Sequence, residues 1–239
     1  MPDRAASPGS LPNPEWVAFD IGVKPGLRLT ISSEDAVREI QSLTARGLSA
    51  LPAERPISRP GRPDETILYV ARAPDAARAL RDAEAPVLPG KDSRLSVADI
   101  AESHERVGAL LGFPSCCTAA FVERVTRGVT TRAGGGSAHE DYVAAEDAIR
   151  RSRAFHGRLN DMLRRERLWI IPFYPCKYDC ETALLYADAV WDALVSAAPA
   201  AARSLRESLS APVRLLPDGT RVQQDGRSRD ALLVAFDRF

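Results

Sequence analysis

Leu111-Gly112-Phe113-Pro114-Ser115-Cys116-Cys117 closes one helix and opens another. Upstream, Ser96 is placed to cap a helix over 97–111, whose apolar residues Val97, Ile100, Val107, Leu110 and Leu111 recur at helical spacing. Gly112 is a natural stop, and Pro114 cannot continue the same helix. Ser115 is the expected cap of the next one, which begins at the cysteine pair and continues through Phe121, Val122 and Val125. Two thiols thereby reach the first turn of a helix. Unsatisfied N–H groups and the helix dipole favour anions there, thiolates included.

The other two cysteines lie in Pro175-Cys176-Lys177-Tyr178-Asp179-Cys180, and residues 118–175 hold none. Again a proline leads in and a helix follows, with Asp179 the expected cap. Cys180, Ala183, Leu184, Ala187, Val190, Trp191 and Leu194 mark its length. Cys176 and Cys180 are four residues apart and share a face if both are helical. Four thiols in two pairs are soft donors, suited to zinc or to an iron–sulfur cluster. Adjacent residues on a helix diverge by about 100°. The tandem pair therefore looks awkward on one tetrahedral ion and better suited to a cluster with several irons. A [4Fe–4S] cluster held by Cys116, Cys117, Cys176 and Cys180 is the leading expectation. The alternatives are zinc, whose usual C-x₂₋₄-C spacing fits Cys176 and Cys180, a metal-free redox pair, and buried cysteines that merely pack.

The two segments resemble the paired signatures, Gly-Tyr/Phe-Pro-x-Cys-Cys and Pro-Cys-x-x-x-Cys, of a family of uncharacterised prokaryotic proteins. The likeness covers about residues 97–190. It implies a set of four thiols and brings no reaction with it.

The chain has 239 residues, enough for one large domain or two small ones. Its 32 Lys and Arg balance its 32 Asp and Glu, which gives no electrostatic case for nucleic acid or a membrane surface. Residues 1–14, rich in Pro, Ser and Ala, read as a disordered lead-in without a secretory signal. The longest apolar candidate, 183–202, is broken by Asp188, Asp192 and Pro199, so no membrane span is expected. A cytoplasmic setting follows, where thiols stay reduced and paired cysteines favour metal or redox chemistry.

Residues 15–93 read as a small α/β unit. Strands are expected over Trp16–Val23 and Gly26–Ile31, with Lys24-Pro25-Gly26 turning between them. A helix follows from Glu34 to about Arg46. A Pro/Arg-rich stretch covers 52–63, Ile67–Ala71 reads as a buried strand, and Pro74 opens a helix to about Ala85. Residues 94–239 read as a mainly helical cysteine domain. It contains a glycine-rich stretch over 128–137, a long helix from Glu140 to Arg167, and a short apolar strand or extended segment over 168–173. A hairpin turns at Asp218-Gly219, and a final strand runs over 231–236. The expected class is α+β, an N-terminal α/β unit packed on a helical half that ends in a β hairpin.

Other candidates are weaker. Glu181 could act as a general acid or base, though a carboxylate is also simply favourable in a first helical turn. Lys177 and Tyr178 could donate to a bound anion or substrate. His104 could point at the site from the preceding helix. His139 and His156 complete the histidines, and none forms a zinc-hydrolase or di-iron pattern. The arginines of 150–167 read as a solvated helix face interleaved with acids. Gly134-Gly135-Gly136 lacks the Gly-Lys-Ser/Thr of a phosphate loop. The expected function is an iron–sulfur protein: a biosynthetic or sulfur- and redox-handling enzyme, or its component, acting on a small-molecule substrate or with a redox partner protein. The rivals are a zinc-stabilised binding or adaptor module and a metal-free thiol oxidoreductase.

Overall fold

The computed structural model describes residues 11–58, 61, 63–88, 95–128, 138–215, 232–236 and 238–239. Among them the fold is mixed, with eight α-helices, a three-stranded antiparallel sheet and a short two-stranded ladder. The α+β class read from the sequence holds.

The first sheet is built from β1 (Gly26–Ser32), β2 (Ser49–Pro52) and β3 (Glu65–Ala71) in the order β1-β3-β2. Gly26 and Ser49 both sit opposite Ala71, so both neighbours run antiparallel to β3. Ile67, Leu68, Tyr69 and Val70 of β3 are all completely buried. That explains an apolar run without alternation, since a central strand covered on both faces has no solvent side. Leu68 and Val70 pack with Leu27, Leu29 and Ile31 against Leu43 of α2 (Ala36–Ala45) and Trp16 and Phe19 of α1 (Pro14–Asp20). On the other face, Ile67 and Tyr69 meet Leu80 and Ala83 of α3 (Pro74–Glu84) and Val107 of α4 (Val97–Leu110). Each such aliphatic side chain contributes about 1.5–3 kcal/mol by burial. β2 was not expected. It is a four-residue edge strand ending in Pro52, a position where a missing N–H is tolerated.

The strand expected over Trp16–Val23 is instead α1. Asn13 Oδ1 accepts the Glu15 N–H at 2.9 Å, Pro14 occupies the first turn, and Glu15 adds a favourable acid there. These cap signals outweigh the β-propensity of Trp16, Val17 and Phe19. Ala18, on the same helix, joins the second core instead of the sheet's.

That second core surrounds α7 (Glu181–Ala197), whose Ala183, Ala187, Val190 and Leu194 are fully buried. It takes in Leu205 and Leu209 of α8 (Pro199–Ser210) and Val213 and Val234 of the ladder. The ladder pairs β4 (Val213–Leu215) with β5 (Leu232–Val234). The turn expected at Asp218-Gly219 lies outside the described residues, as do residues 1–10 and the glycine run.

The long helix expected from Glu140 to Arg167 ends early. α6 spans Ala138–Arg151, and residues 152–180 follow an irregular path with two 3-10 turns, Gly157–Leu159 and Arg164–Glu166. The break has tertiary causes. A Cβ on Gly157 would stand 2.9 Å from the Phe239 ring, and buried Asn160 donates from Nδ2 to Leu209 O at 2.9 Å. The arginines therefore do not share one helical face: Arg158 pairs with Asp188 of α7, while Arg164 stacks on Tyr174. Ile170 and Ile171 run fully buried through this core without joining a sheet. No helix among the described residues is long and apolar enough to cross a membrane.

Candidate metal centre

α4 begins with a capping box: Asp99 N–H donates to Ser96 Oγ at 3.1 Å and Ser96 N–H to Asp99 Oδ2 at 3.0 Å. It ends at Gly112, left-handed at φ 72°. There Phe113 N–H reaches Gly108 O and Gly112 N–H reaches Ala109 O, a Schellman closure. The chain then reverses into α5 (Ser115–Thr126). Pro114, not Ser115, takes the cap position, and its carbonyl accepts from both Cys117 and Thr118. Cys116 and Cys117 thus lie in the first turn of α5. The second pair closes on them from the irregular segment. Cys180, not Asp179, stands at the cap position of α7, because Asp179 Oδ2 is engaged by the Arg153 N–H at 3.2 Å.

The four Sγ atoms all lie within 4.8 Å of one another. Cys180 Sγ is 3.5 Å from that of Cys116 and 3.9 Å from that of Cys117, and Cys176 N–H points at Cys117 Sγ at 3.4 Å. Cys117 and Cys180 are buried, Cys176 is half-buried and Cys116 is exposed. Adjacency on a helix therefore does not keep Cys116 and Cys117 from converging, because the partners arrive from a loop that folds across both. For metal–sulfur bonds of about 2.3 Å, the sulfurs around one tetrahedral ion stand about 3.8 Å apart. The observed spacing and the all-sulfur donor set fit a soft metal.

Cys117, Cys176 and Cys180 are shifted in different directions by one another and by burial. Cys117 is pushed far up by its hydrogen-bonded contacts with Cys176 and Cys180 and by burial. At Cys176 the contact with Cys117 pulls down, but the contact with Cys180 and burial outweigh it, leaving the thiol at about 12. Cys180 is drawn down to about 2 by its contacts with Cys117 and Cys176, despite burial. The lowered thiol, Cys180, stands at the N-terminus of α7, where the helix dipole favours an anion.

Beside Cys117 lies a partly open cavity of about 530 Å³. Phe113, Phe173 and Leu111 form apolar walls, and Lys24, Arg28, Glu15, Glu84, Asp141 and Arg164 bring charge to it. His104 also lines it, buried in α4 edge-on to Phe121. The other weak candidates stand elsewhere. Tyr178 is wholly buried with its hydroxyl on Asp161, Lys177 is paired with Asp179 at 3.7 Å, and Glu181 is exposed in the first turn of α7. Sequence reasoning missed the cavity's charged residues. Lys24 reads as an ordinary turn lysine before Pro25-Gly26, yet its side chain is only 1% exposed. No local pattern marks it, because its partners are Glu15 of α1 and Phe113 of the α4–α5 junction.

Comparison with known protein families, curated proteins and solved structures finds no match. The functional argument therefore rests on the site itself.

Proposed function

We propose that the chain is a metalloprotein in which Cys116, Cys117, Cys176 and Cys180 hold one thiolate-ligated centre beside a small-molecule cavity. The convergence of four sulfurs within 4.8 Å carries this reading. The likeness of the two segments to paired Cys signatures in a prokaryotic family supports it. The spacing favours a single four-coordinate ion, zinc or iron. Such a site is closed when all four thiolates bind, and its work is structural. It would staple the irregular run 152–180 to α5, and any chemistry would belong to the cavity.

A [4Fe–4S] cluster is the second reading. The tandem pair favours it, since Cys116 is exposed and has room to move outward, and neighbouring thiolates can take different irons. Bound there, the cluster would supply electron transfer next to the cavity, with Cys117 lining both. Cys116 and Cys180, with their sulfurs 3.5 Å apart, are where a metal-free thiol oxidoreductase would form its disulfide.

Anaerobic purification with absorption spectroscopy and zinc, iron and sulfide analysis tests these readings. About one zinc or iron per chain without sulfide supports the single ion. About four irons and four sulfides with broad visible absorption support the cluster. Metal-free protein that forms a reversible disulfide would overturn both.

A further inference from the structure

Three cations and three carboxylates line the cavity beside Cys117, and two of the carboxylates are engaged by hydrogen bonds. Both oxygens of Glu84 are taken by Arg28 Nε, at 2.6 and 2.9 Å. Asp141 Oδ1 accepts the Tyr174 hydroxyl at 2.8 Å. The cations are less fully engaged. Lys24 offers three N–H donors and meets one carboxylate oxygen, Glu15 Oε2, at 3.4 Å. Arg164 offers five and among the described residues makes one long hydrogen bond, to Ile171 O at 3.5 Å. Its Nε has no partner among the described residues, and its plane lies over the Tyr174 ring at 4.7 Å. The Thr118 hydroxyl, also lining the cavity, is buried with no partner among the described residues.

We propose that this cavity binds an organic anion with a flat apolar body, its carboxylate or phosphate head held by Lys24 and Arg164. The apolar walls, Phe113, Phe173 and Leu111, suit the body. The volume lies within the roughly 300–1,000 Å³ of small-molecule sites. Lys24 is held below the usual lysine range, first by burial and also by the Arg164 and Arg28 charges, against the pull of Glu15. An anion between Lys24 and Arg164 relieves that mutual repulsion and satisfies the spare donors. The ligand class goes beyond the metal reading and does not depend on which metal the thiols hold.

Calorimetric titration of the full chain, purified with its metal, tests it with three probes on one ring system: 1-naphthylacetate, 1-naphthyl phosphate and 1-naphthylmethylamine. The two anions should bind and the ammonium should be weaker by about tenfold or more, the worth of one charge-assisted hydrogen bond. The tighter of the two anions identifies the head group. Lys24→Met and Arg164→Gln should each weaken the anions by about tenfold or more while metal content stays near that of the parent. If Lys24→Met fails to fold, Arg164→Gln, on a less buried side chain, carries the test. Equal binding of anion and ammonium, no binding of any probe at millimolar concentration, or indifference to the folded variants overturns the proposal. Metal analysis of the same samples keeps the two readings apart. A metal-free chain that still prefers the anions sinks the metal centre alone, and a loaded chain without that preference sinks the anion site alone.

Discussion

Tyr178 donates its hydroxyl to Asp161 Oδ1 at 2.8 Å, and both residues are buried. The same tyrosine donates its N–H to Ser152 Oγ at 2.7 Å and accepts the His156 N–H at 3.2 Å. The residue midway between Cys176 and Cys180 is thus tied to the irregular segment at three points. This is what aims the two thiols at α5. Tyr178→Phe removes the hydroxyl and leaves a buried carboxylate short of a donor. The expected loss is about 1–3 kcal/mol, read as a lower urea midpoint with an unchanged slope. An unchanged midpoint would show that the tie is not formed.

Asp161 gives stability a pH dependence. Burial pushes its carboxyl up to about 6, against the pull of Arg164 and the Tyr178 hydroxyl. The unfolded chain titrates this residue near about 4. Between those values the folded chain holds the extra proton, so stability is greatest on the acid side and falls as pH rises through about 6, by up to about 3 kcal/mol. Asp161→Asn, which keeps an acceptor for Tyr178 but cannot ionise, should lack that fall. Urea midpoints of the two proteins from pH 4 to 7 measure it. Their difference cancels any acid loss of metal common to both. Parallel profiles would disprove the assignment.

Two glycines with the same backbone twist should respond differently to a methyl group. Gly112 and Gly47 have φ of 72° and 74°. A Cβ on Gly47 meets nothing within 4 Å, whereas one on Gly112 stands 2.6 Å from Pro25 Cδ and 2.8 Å from Val23 O. Gly47→Ala should cost about 1–2 kcal/mol, the left-handed penalty alone. Gly112→Ala adds overlap with backbone worth a further 1–3 kcal/mol or so, and it shifts the turn that places Cys116 and Cys117. Thermal melts of the two variants, with metal content, separate the contributions. Equal melting temperatures would refute the tight packing of Gly112 on the Val23–Pro25 turn.

The convergence of the four cysteines was legible because its signals are local. A proline, a helix start and two cysteines recur at 114–117 and 175–180, and each helix start depends on a few neighbouring residues. The same locality made Ser96, Gly112 and the apolar run of β3 readable. What escaped depends on distant parts of the chain. Nothing near Arg153 announces that the helix has ended, since Phe239 and Leu209 enforce the break at Gly157 and Asn160. Lys24 becomes a buried cation only because Glu15 of the same turn-and-helix unit and Phe113 of the α4–α5 junction meet around it. At α1 the local signal was present but misweighted: Asn13-Pro14-Glu15 is cap chemistry, and it outranks the aromatic and branched residues that follow.

Removing the metal should loosen one part of the fold and spare another. The sheet core around Leu27, Leu29, Leu68 and Val70 contains no cysteine, whereas Cys117 and Cys180 belong to the core around α7. Residues 152–180 have little regular hydrogen bonding of their own and contain two of the four clustered cysteines. A metal at about a thousand times its dissociation constant stabilises the state it binds by about 4 kcal/mol. Stripping it with a chelator under reducing conditions should therefore speed amide hydrogen exchange across 152–180 and the first turn of α5, while β1 and β3 keep their protection. Cys180→Ser should reproduce this pattern without a chelator. Cys116→Ser, at the exposed corner, should do so more weakly, because three buried or half-buried thiols still converge. Uniform loss of protection across the chain would mean the centre holds the whole fold together. No change at 152–180 would remove the structural role assigned to the metal.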